Sequence, residues 1–207
     1  GDRVKYWLTF NEQNIFHMPE AFRISGYMKG DQTLRELYEL QHHTMVAHMA
    51  LTEYLHQTKP GQLMGGMLAH QLVYPATCKP RDIFCAQQYD EFLNQNLLRV
   101  FAGQGYSPAV MAVVEQEGFG DIYRAEDLAL LARTRNDYMA FSYYASKTLD
   151  SDAIPEGTPV NYYLLHGEKN NPYLKATEWN WQIDPLGFRT IITRYANDWR
   201  MPVFPIE

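Results

Sequence analysis

The stretch VKYWLTFNEQN, residues 4–14, begins as a β-strand and ends on an amide and a carboxylate. Its first seven residues are mostly apolar, aromatic or β-branched, which is typical of a strand. Glu12 follows almost at once, although an ionised carboxylate is costly to bury unless it is paired or solvated. Glu12 therefore either projects into solvent beyond a strand end or is held there for chemistry.

Similar runs recur along the chain, separated by helical patterns. The strand-like stretches are 4–10, 62–68, 137–146 and 202–207. A long helix is predicted from the capping box Thr33–Glu36 to Lys59, because Thr-x-x-Glu is typical of a helix start. Further helices are predicted over 82–103, 108–117, 125–134 and 185–199. Loops are predicted over 26–31, 73–82 and 150–172.

The alternation of strands and helices predicts an α/β fold with parallel strands. Four such strands would make about half of an eight-stranded (β/α)8 barrel, a fold of about 250 residues. A doubly wound sheet fits the pattern equally well, although no Gly-rich phosphate loop follows a strand. We expect residues 1–207 to form a single domain, and the strand-like ends indicate an interior piece of a longer protein.

The composition and net charge of the chain exclude several classes of binding partner and site. The net charge of −6 and the pI near 5.6 argue against nucleic acid, which favours a basic surface. No apolar run reaches the roughly 18 residues that a membrane span needs. Cys78 and Cys85 are interpreted as free thiols of an intracellular protein. His42, His43 and His48 lack the i, i+4 spacing of a zinc-binding pair, so no metal site is expected.

Two glutamates end predicted strands, Glu12 the first and Glu207 the last. In parallel α/β folds functional groups gather at the C-terminal ends of the strands. Two carboxyl groups that face each other across a pocket suit glycoside hydrolysis, in which one donates a proton and the other attacks or activates water. Solvated glutamates at strand ends are a common alternative.

Four motifs in order resemble glycoside hydrolase family 1: TFNE at 9–12, FSYY at 141–144, WQIDPLGFR at 181–189 and the terminal PVFPIE. The resemblance covers all 207 residues and implies strands four to seven of a (β/α)8 (TIM) barrel that hydrolyses β-glycosides with retention. It implies that no metal or organic cofactor is needed.

The resemblance also assigns roles residue by residue. Glu12 matches the acid/base, and Asn11 matches the residue that binds the sugar 2-hydroxyl. Glu207 falls on the nucleophile, although the family's usual Asn-Gly after it is not present here, and Tyr144 matches the tyrosine that hydrogen-bonds the nucleophile. Trp179 lies near the predicted barrel mouth, where it would either stack on a sugar or serve in packing.

Two residues differ from those most common at the corresponding positions of family 1 motifs. Gln13 stands where many members have Pro, and Ser142 stands where most have Asn. These letters, with YPATCKPRD and the block 171–185, resemble most the 6-phospho-β-glucosidase branch. That branch implies a cytoplasmic enzyme acting on small 6-phosphorylated β-glucosides, such as phosphorylated cellobiose or aryl-glucosides. The alternatives are a β-glucosidase or β-galactosidase for unphosphorylated substrates and an inactive barrel scaffold, and the oligomeric state, including a homo-oligomer, stays open.

Overall fold

The computed structural model describes residues 3–19 and 32–207. Within these ranges the strands are β1 (Tyr6–Leu8), β2 (Leu63–Ala69), β3 (Val73–Pro75), β4 (Tyr138–Ser142), β5 (Lys147–Leu149) and β6 (Val203–Pro205). The helices are α1 (Leu34–Thr58), α2 (Pro80–Asp90), α3 (Asn96–Phe101), α4 (Pro108–Gln116), α5 (Ala125–Arg133), α6 (Tyr163–Gly167) and α7 (Pro185–Arg194). The loop predicted over 26–31 lies outside the described residues.

The main sheet runs in the order β1-β2-β4-β6, and each neighbouring pair is parallel. The four strands predicted from the sequence are thus confirmed as neighbours in chain order. A doubly wound sheet reverses its strand order at a switch point, whereas this sheet does not. The sequential order is that of a barrel segment, with α1 between β1 and β2 and the helices α2–α5 between β2 and β4.

Side chains on the two central strands alternate between two packed faces. Leu68, Met139 and Phe141 belong to the large core shared with the helices, whereas Met67 and Tyr138 pack together in a smaller cluster on the other face. Burial of both faces is expected for parallel strands. The barrel-type arrangement therefore has a helix-facing layer and an inner layer.

The two glycines of β2 allow close approach, as their position in QLMGGML predicts. A Cβ on Gly65 would lie 2.2 Å from the Tyr138 ring, and one on Gly66 would lie 2.4 Å from the Phe101 ring. Both distances are far shorter than a van der Waals contact, so an aromatic ring packs directly onto the backbone on each side of the strand.

The predicted start of α1 is confirmed in detail. The Thr33 side chain accepts the Glu36 amide at 3.2 Å, and the Glu36 carboxylate accepts the Thr33 amide at 2.9 Å. The helix predicted over 82–103 begins at Pro80 and includes a π-helical turn, Glu91–Gln95, between α2 and α3. A second π-helical turn, Tyr195–Trp199, continues α7.

Two predicted loops are wrong in part. Residues 73–82 contain β3, which pairs in parallel with β5 to form a second small sheet. Residues 150–172 contain α6 and two short 3-10 turns. Each of these elements has three to five residues, too few to show a hydrophobic period. None of the helices within the described ranges is both long and apolar enough to cross a bilayer.

Candidate active site

Glu12 lies four residues beyond β1, in a turn rather than on the strand itself. Its backbone is left-handed, with φ of 44° and ψ of 57°, and its carbonyl accepts the Ile15 amide at 2.9 Å at the start of a 3-10 helix, Gln13–His17. A left-handed conformation costs a residue other than glycine about 1–2 kcal/mol. The surrounding structure must therefore hold Glu12 in place.

The buried amide of Asn14 provides one of these anchors. Its Nδ2 donates to the Ala69 carbonyl at 2.8 Å, and its Oδ1 accepts the Ala69 amide at 2.8 Å. The side chain thus completes the backbone hydrogen bonding at the end of β2, and Nδ2 also lies 3.2 Å from Asn94 Oδ1. Asn14 fixes the turn that carries Glu12, a role that no local sequence pattern indicates.

Thr9, the first letter of TFNE, is held by a buried histidine. Burial lowers the pKa of His48 to about 4, so its ring is neutral near pH 7. Nε2 lies 3.0 Å from Asn136 Oδ1 and carries the proton, which leaves Nδ1 to accept the Thr9 hydroxyl at 2.7 Å. The base of the turn is therefore attached to α1.

The Glu12 side chain contacts the end of β4. Ser142 Oγ donates to Glu12 Oε1 at 2.6 Å, and Ser142 itself is almost fully buried. Its backbone carbonyl accepts the His70 amide at 3.0 Å, which extends the β2–β4 pairing by one residue. The hydroxyl therefore fixes one carboxyl oxygen of Glu12 and leaves the other, Oε2, free of this contact.

The second glutamate meets the same segment of chain. The Tyr144 hydroxyl donates to a carboxyl oxygen of Glu207, and the Tyr143 amide donates to the Glu207 carbonyl at 3.0 Å. The Ile206 amide donates to the Phe141 carbonyl at 2.9 Å, so pairing with β4 continues beyond β6. The sequence-based pairing of Tyr144 with Glu207 describes this contact.

The carboxylates of Glu207 and Glu12 both raise the pKa of Tyr144. The hydrogen bond to Glu207 raises the pKa of Tyr144 to about 12, with further contributions from burial and from the charges of Glu207 and Glu12. The Tyr144 hydroxyl therefore stays protonated and remains a donor at neutral pH. The structure thus brings three of the predicted site residues together: Glu12, Tyr144 and Glu207.

The other two predicted residues lie at the margin. Asn11 is exposed, and Trp179 is 76% exposed. Trp181 contacts one of the site residues, with its ring centroid 5.3 Å from that of Tyr144. An alternating Trp-x-Trp pattern does not by itself show which of the two rings contacts Tyr144.

A small cavity of about 150 Å³ lies beside these groups, at the C-terminal ends of β2 and β4. Its lining consists of Ala69, His70, Gln71, Ser142, Tyr144, Ala145, Lys147 and Trp181. Ligand pockets usually have about 300–1,000 Å³, so this cavity is smaller than a typical ligand site. Burial lowers the pKa of His70 to about 4, so this part of the lining is uncharged. Within residues 3–19 and 32–207, no three His, Cys, Asp or Glu side chains are grouped to hold a metal ion.

Comparison with known proteins gives one family over the full chain: the model of glycosyl hydrolase family 1 matches residues 1–207. The chain is 34% identical over 210 residues to the aryl-phospho-β-D-glucosidase BglH of Bacillus subtilis, which covers 99% of the chain and 43% of BglH. It is 32% identical over 206 residues to the 6-phospho-β-glucosidase AscB of Escherichia coli, covering 99% of the chain and 42% of AscB. The chain thus spans less than half the length of these relatives.

The fold also matches solved structures. A β-glucosidase from Exiguobacterium marinum superimposes with a TM-score of 0.78 at 19% identity, covering 98% of this chain and 44% of that one. A second β-glucosidase, BglU from Micrococcus antarcticus, gives a TM-score of 0.79 at 22% identity over 98% of this chain and 46% of BglU. The predicted fold, about half of a (β/α)8 barrel, is confirmed.

Proposed function

Because the chain belongs to glycosyl hydrolase family 1, we propose that the enzyme of which these residues form a part hydrolyses β-glycosides with retention of configuration. The observation that carries this proposal is that the Glu12 and Glu207 side chains both contact the end of β4 or the residues just after it. Ser142 donates to Glu12, and Tyr144, two residues on, donates to Glu207. Two carboxyl groups held beside each other are the groups that glycoside hydrolysis needs.

In the first step of this mechanism, Glu207 attacks the anomeric carbon and the bond to the leaving oxygen breaks. Glu12 gives its proton to that oxygen, from Oε2, because Ser142 occupies Oε1. Tyr144 stabilises the ionised form of the attacking carboxylate until the ester forms. In the second step Glu12 takes a proton from water, the water oxygen attacks the anomeric carbon, and Glu207 leaves as a carboxylate. Retention requires the two carboxyl groups to lie about 5–5.5 Å apart.

Two further residues complete the proposed sugar site. Asn11, exposed and adjacent to Glu12, is proposed to bind the sugar 2-hydroxyl. Trp179 is proposed to stack on the substrate, since exposed indole rings offer flat apolar faces to sugars. We further propose that residues 1–207 form a single domain, a part of one barrel.

For the substrate we propose small 6-phospho-β-glucosides. The support is the identity of 34% and 32% to proteins named aryl-phospho-β-D-glucosidase and 6-phospho-β-glucosidase. A phosphorylated sugar is charged and does not cross membranes unaided, so the proposed enzyme is cytoplasmic. It needs no cofactor, because two carboxyl groups suffice for both steps.

The substrate proposal is tested on the full-length enzyme with p-nitrophenyl-β-glucoside and its 6-phosphate. We expect kcat/KM to favour the phosphorylated compound by at least about 100-fold, which corresponds to about 2.7 kcal/mol. An equal or reversed ratio would support a β-glucosidase or β-galactosidase acting on unphosphorylated sugars. No turnover of either, with the protein folded, would support an inactive scaffold.

The mechanism is tested separately. A 2-deoxy-2-fluoro glycoside should label Glu207, and labelling of another residue would refute its role as nucleophile. Proton NMR of the first-formed sugar should show the β-anomer if configuration is retained. Glu12→Gln should slow the first step, measured as kcat/KM, far more for poor leaving groups than for dinitrophenyl groups, which need little protonation.

A further inference from the structure

We infer that Asp184 is a positioning residue that fixes Tyr144 against Glu207, an inference that rests on the proposed function of those two residues. Asp184 touches neither glutamate in the described structure. It acts through the short segment after β4, residues 143–146, in which Tyr144 lies. Four features of the structure carry this inference.

The Asp184 carboxylate is almost fully buried and accepts three hydrogen bonds. Oδ1 accepts the Gly187 amide at 2.8 Å, so Asp184 caps α7. Oδ2 accepts the Ser146 hydroxyl at 2.7 Å and the Tyr74 hydroxyl at 2.8 Å. Burial acts to raise the pKa of Asp184, but these donors outweigh it and hold the pKa below its usual range. The group is therefore a permanent anion at neutral pH.

This anion holds the chain on both sides of Tyr144. Ser146, two residues after Tyr144, binds the Asp184 carboxylate directly. The Tyr143 hydroxyl, one residue before it, lies 2.7 Å from Ser146 Oγ and 3.0 Å from the Asp184 carbonyl oxygen. The backbone of Tyr144 is thus fixed between two residues that are bound to Asp184.

Gly187 closes the space around this group. A Cβ at this position would lie 2.3 Å from Asp184 Oδ2, 2.6 Å from the Tyr143 hydroxyl and 2.7 Å from Ser146 Oγ. Each distance is too short for a real side chain. The hydrogen-bonded group is therefore packed directly against the helix backbone, with no room to move toward it.

Asp184 also lies three residues after Trp181, whose ring contacts that of Tyr144. The Ile183 amide donates to the Lys175 carbonyl at 2.8 Å, and the Thr177 amide donates to the Trp181 carbonyl at 2.8 Å. These contacts form a narrow hairpin whose second arm runs into Asp184. The Asp184 carboxylate thus binds the segment that contains Tyr144, and Asp184 directly follows the hairpin that carries the Trp181 ring packed against Tyr144.

The main test measures formation of the glycosyl-enzyme in the full-length protein with a 2-deoxy-2-fluoro aryl glycoside 6-phosphate. Asp184→Asn should slow labelling about 10- to 100-fold, as expected for a misplaced reacting group, while the concentration for half-maximal labelling changes less than about 3-fold. Combined with Tyr144→Phe, it should slow labelling no further than Tyr144→Phe alone, because coupled residues are not additive. Losses that multiply would overturn the inference, since Asp184 would then act independently of Tyr144.

Asp150→Asn is the matched control. Asp150 also caps a turn, accepts the Asp152 amide at 3.0 Å and pairs with Lys169 at 2.5 Å, away from the glutamates. It should keep the wild-type labelling rate. An equal loss in this control would overturn the inference, because it would show that any capping carboxylate on these loops has the same effect.

Hydrogen exchange tests the inference without any turnover. In Asp184→Asn, the Tyr143 amide, which donates to Glu207 in the parent, should exchange at least about 10-fold faster while α1 stays protected. Unchanged exchange would overturn the inference even if activity falls. If wild-type enzyme takes no label at all, the proposed function fails, and the exchange result still decides the role of Asp184. Should Asp184→Asn not fold, Tyr74→Phe removes one donor with less disturbance, and the same exchange pattern is expected.

Discussion

Replacing Ser142 by Ala in the full-length enzyme removes the donor that holds Glu12 Oε1 at 2.6 Å. The backbone of β4 should be unaffected, because its pairing with Ala69 uses main-chain atoms alone. In the first step Glu12 becomes a carboxylate as its proton leaves, and a hydrogen bond to a charged group is worth about 1.5–3 kcal/mol. Glu12 is only half-buried, so water replaces part of the loss, and about 1–2 kcal/mol remains. This predicts a 5- to 30-fold fall in kcat/KM for substrates that need protonation.

The assay compares aryl 6-phospho-β-glucosides over a range of leaving-group pKa. The loss should be largest for poor leaving groups and should vanish for dinitrophenyl, because Ser142 acts through the residue that donates the proton. Ser107→Ala is the control, since Ser107 is a buried serine that donates to the Glu91 carboxylate far from the proposed site. An equal loss for every leaving group would refute the reasoning, as would a similar loss in the control.

Three more predictions follow from other parts of the fold. Gly66→Ala would place its Cβ 2.4 Å from the Phe101 ring, so we expect a loss of about 1–3 kcal/mol in the free energy of urea unfolding. The pKa of His48 is about 4 in the fold and about 6.5 when unfolded. The unfolded chain therefore binds more protons between pH 6.5 and 4, and stability should fall as the pH drops through this window. His48→Gln should reduce that slope without abolishing it, because burial also lowers the pKa values of His17, His42 and His70. An unchanged slope would refute the assignment. Trp179→Ala should raise KM for aryl substrates, because its exposed ring is proposed to stack on the substrate. An unchanged KM in Trp179→Ala would refute this stacking role.

Sequence patterns predicted the parts of this fold that repeat or that are coded locally. The capping box at Thr33 marked the start of α1, and the apolar run around Gly65 and Gly66 marked a central strand. The glutamates stood out because polar groups follow apolar strands. These signals span a few neighbouring residues, so a single sequence contains them.

The contacts that support the proposed site instead join residues that are far apart in the sequence. Tyr74 and Asp184 are 110 residues apart in the chain, and Ser146 is 38 residues from the same carboxylate. Asn14 reaches across 55 residues to Ala69. No local period relates such positions, and they become neighbours only when the strands have taken their places in the sheet. The three-residue strands β3 and β5 were missed for a related reason, because each is defined by its hydrogen-bonded pairing with the other.

The segment FSYY meets both glutamates, through residues two positions apart. The relative position of the two carboxyl groups therefore depends on the backbone between Ser142, the last residue of β4, and Tyr144, just beyond the strand. Loops beyond the strands can lengthen, shorten or change composition during evolution without altering that position. In this architecture, selection can change the loops around the proposed site while the relative position of its two carboxyl groups is kept.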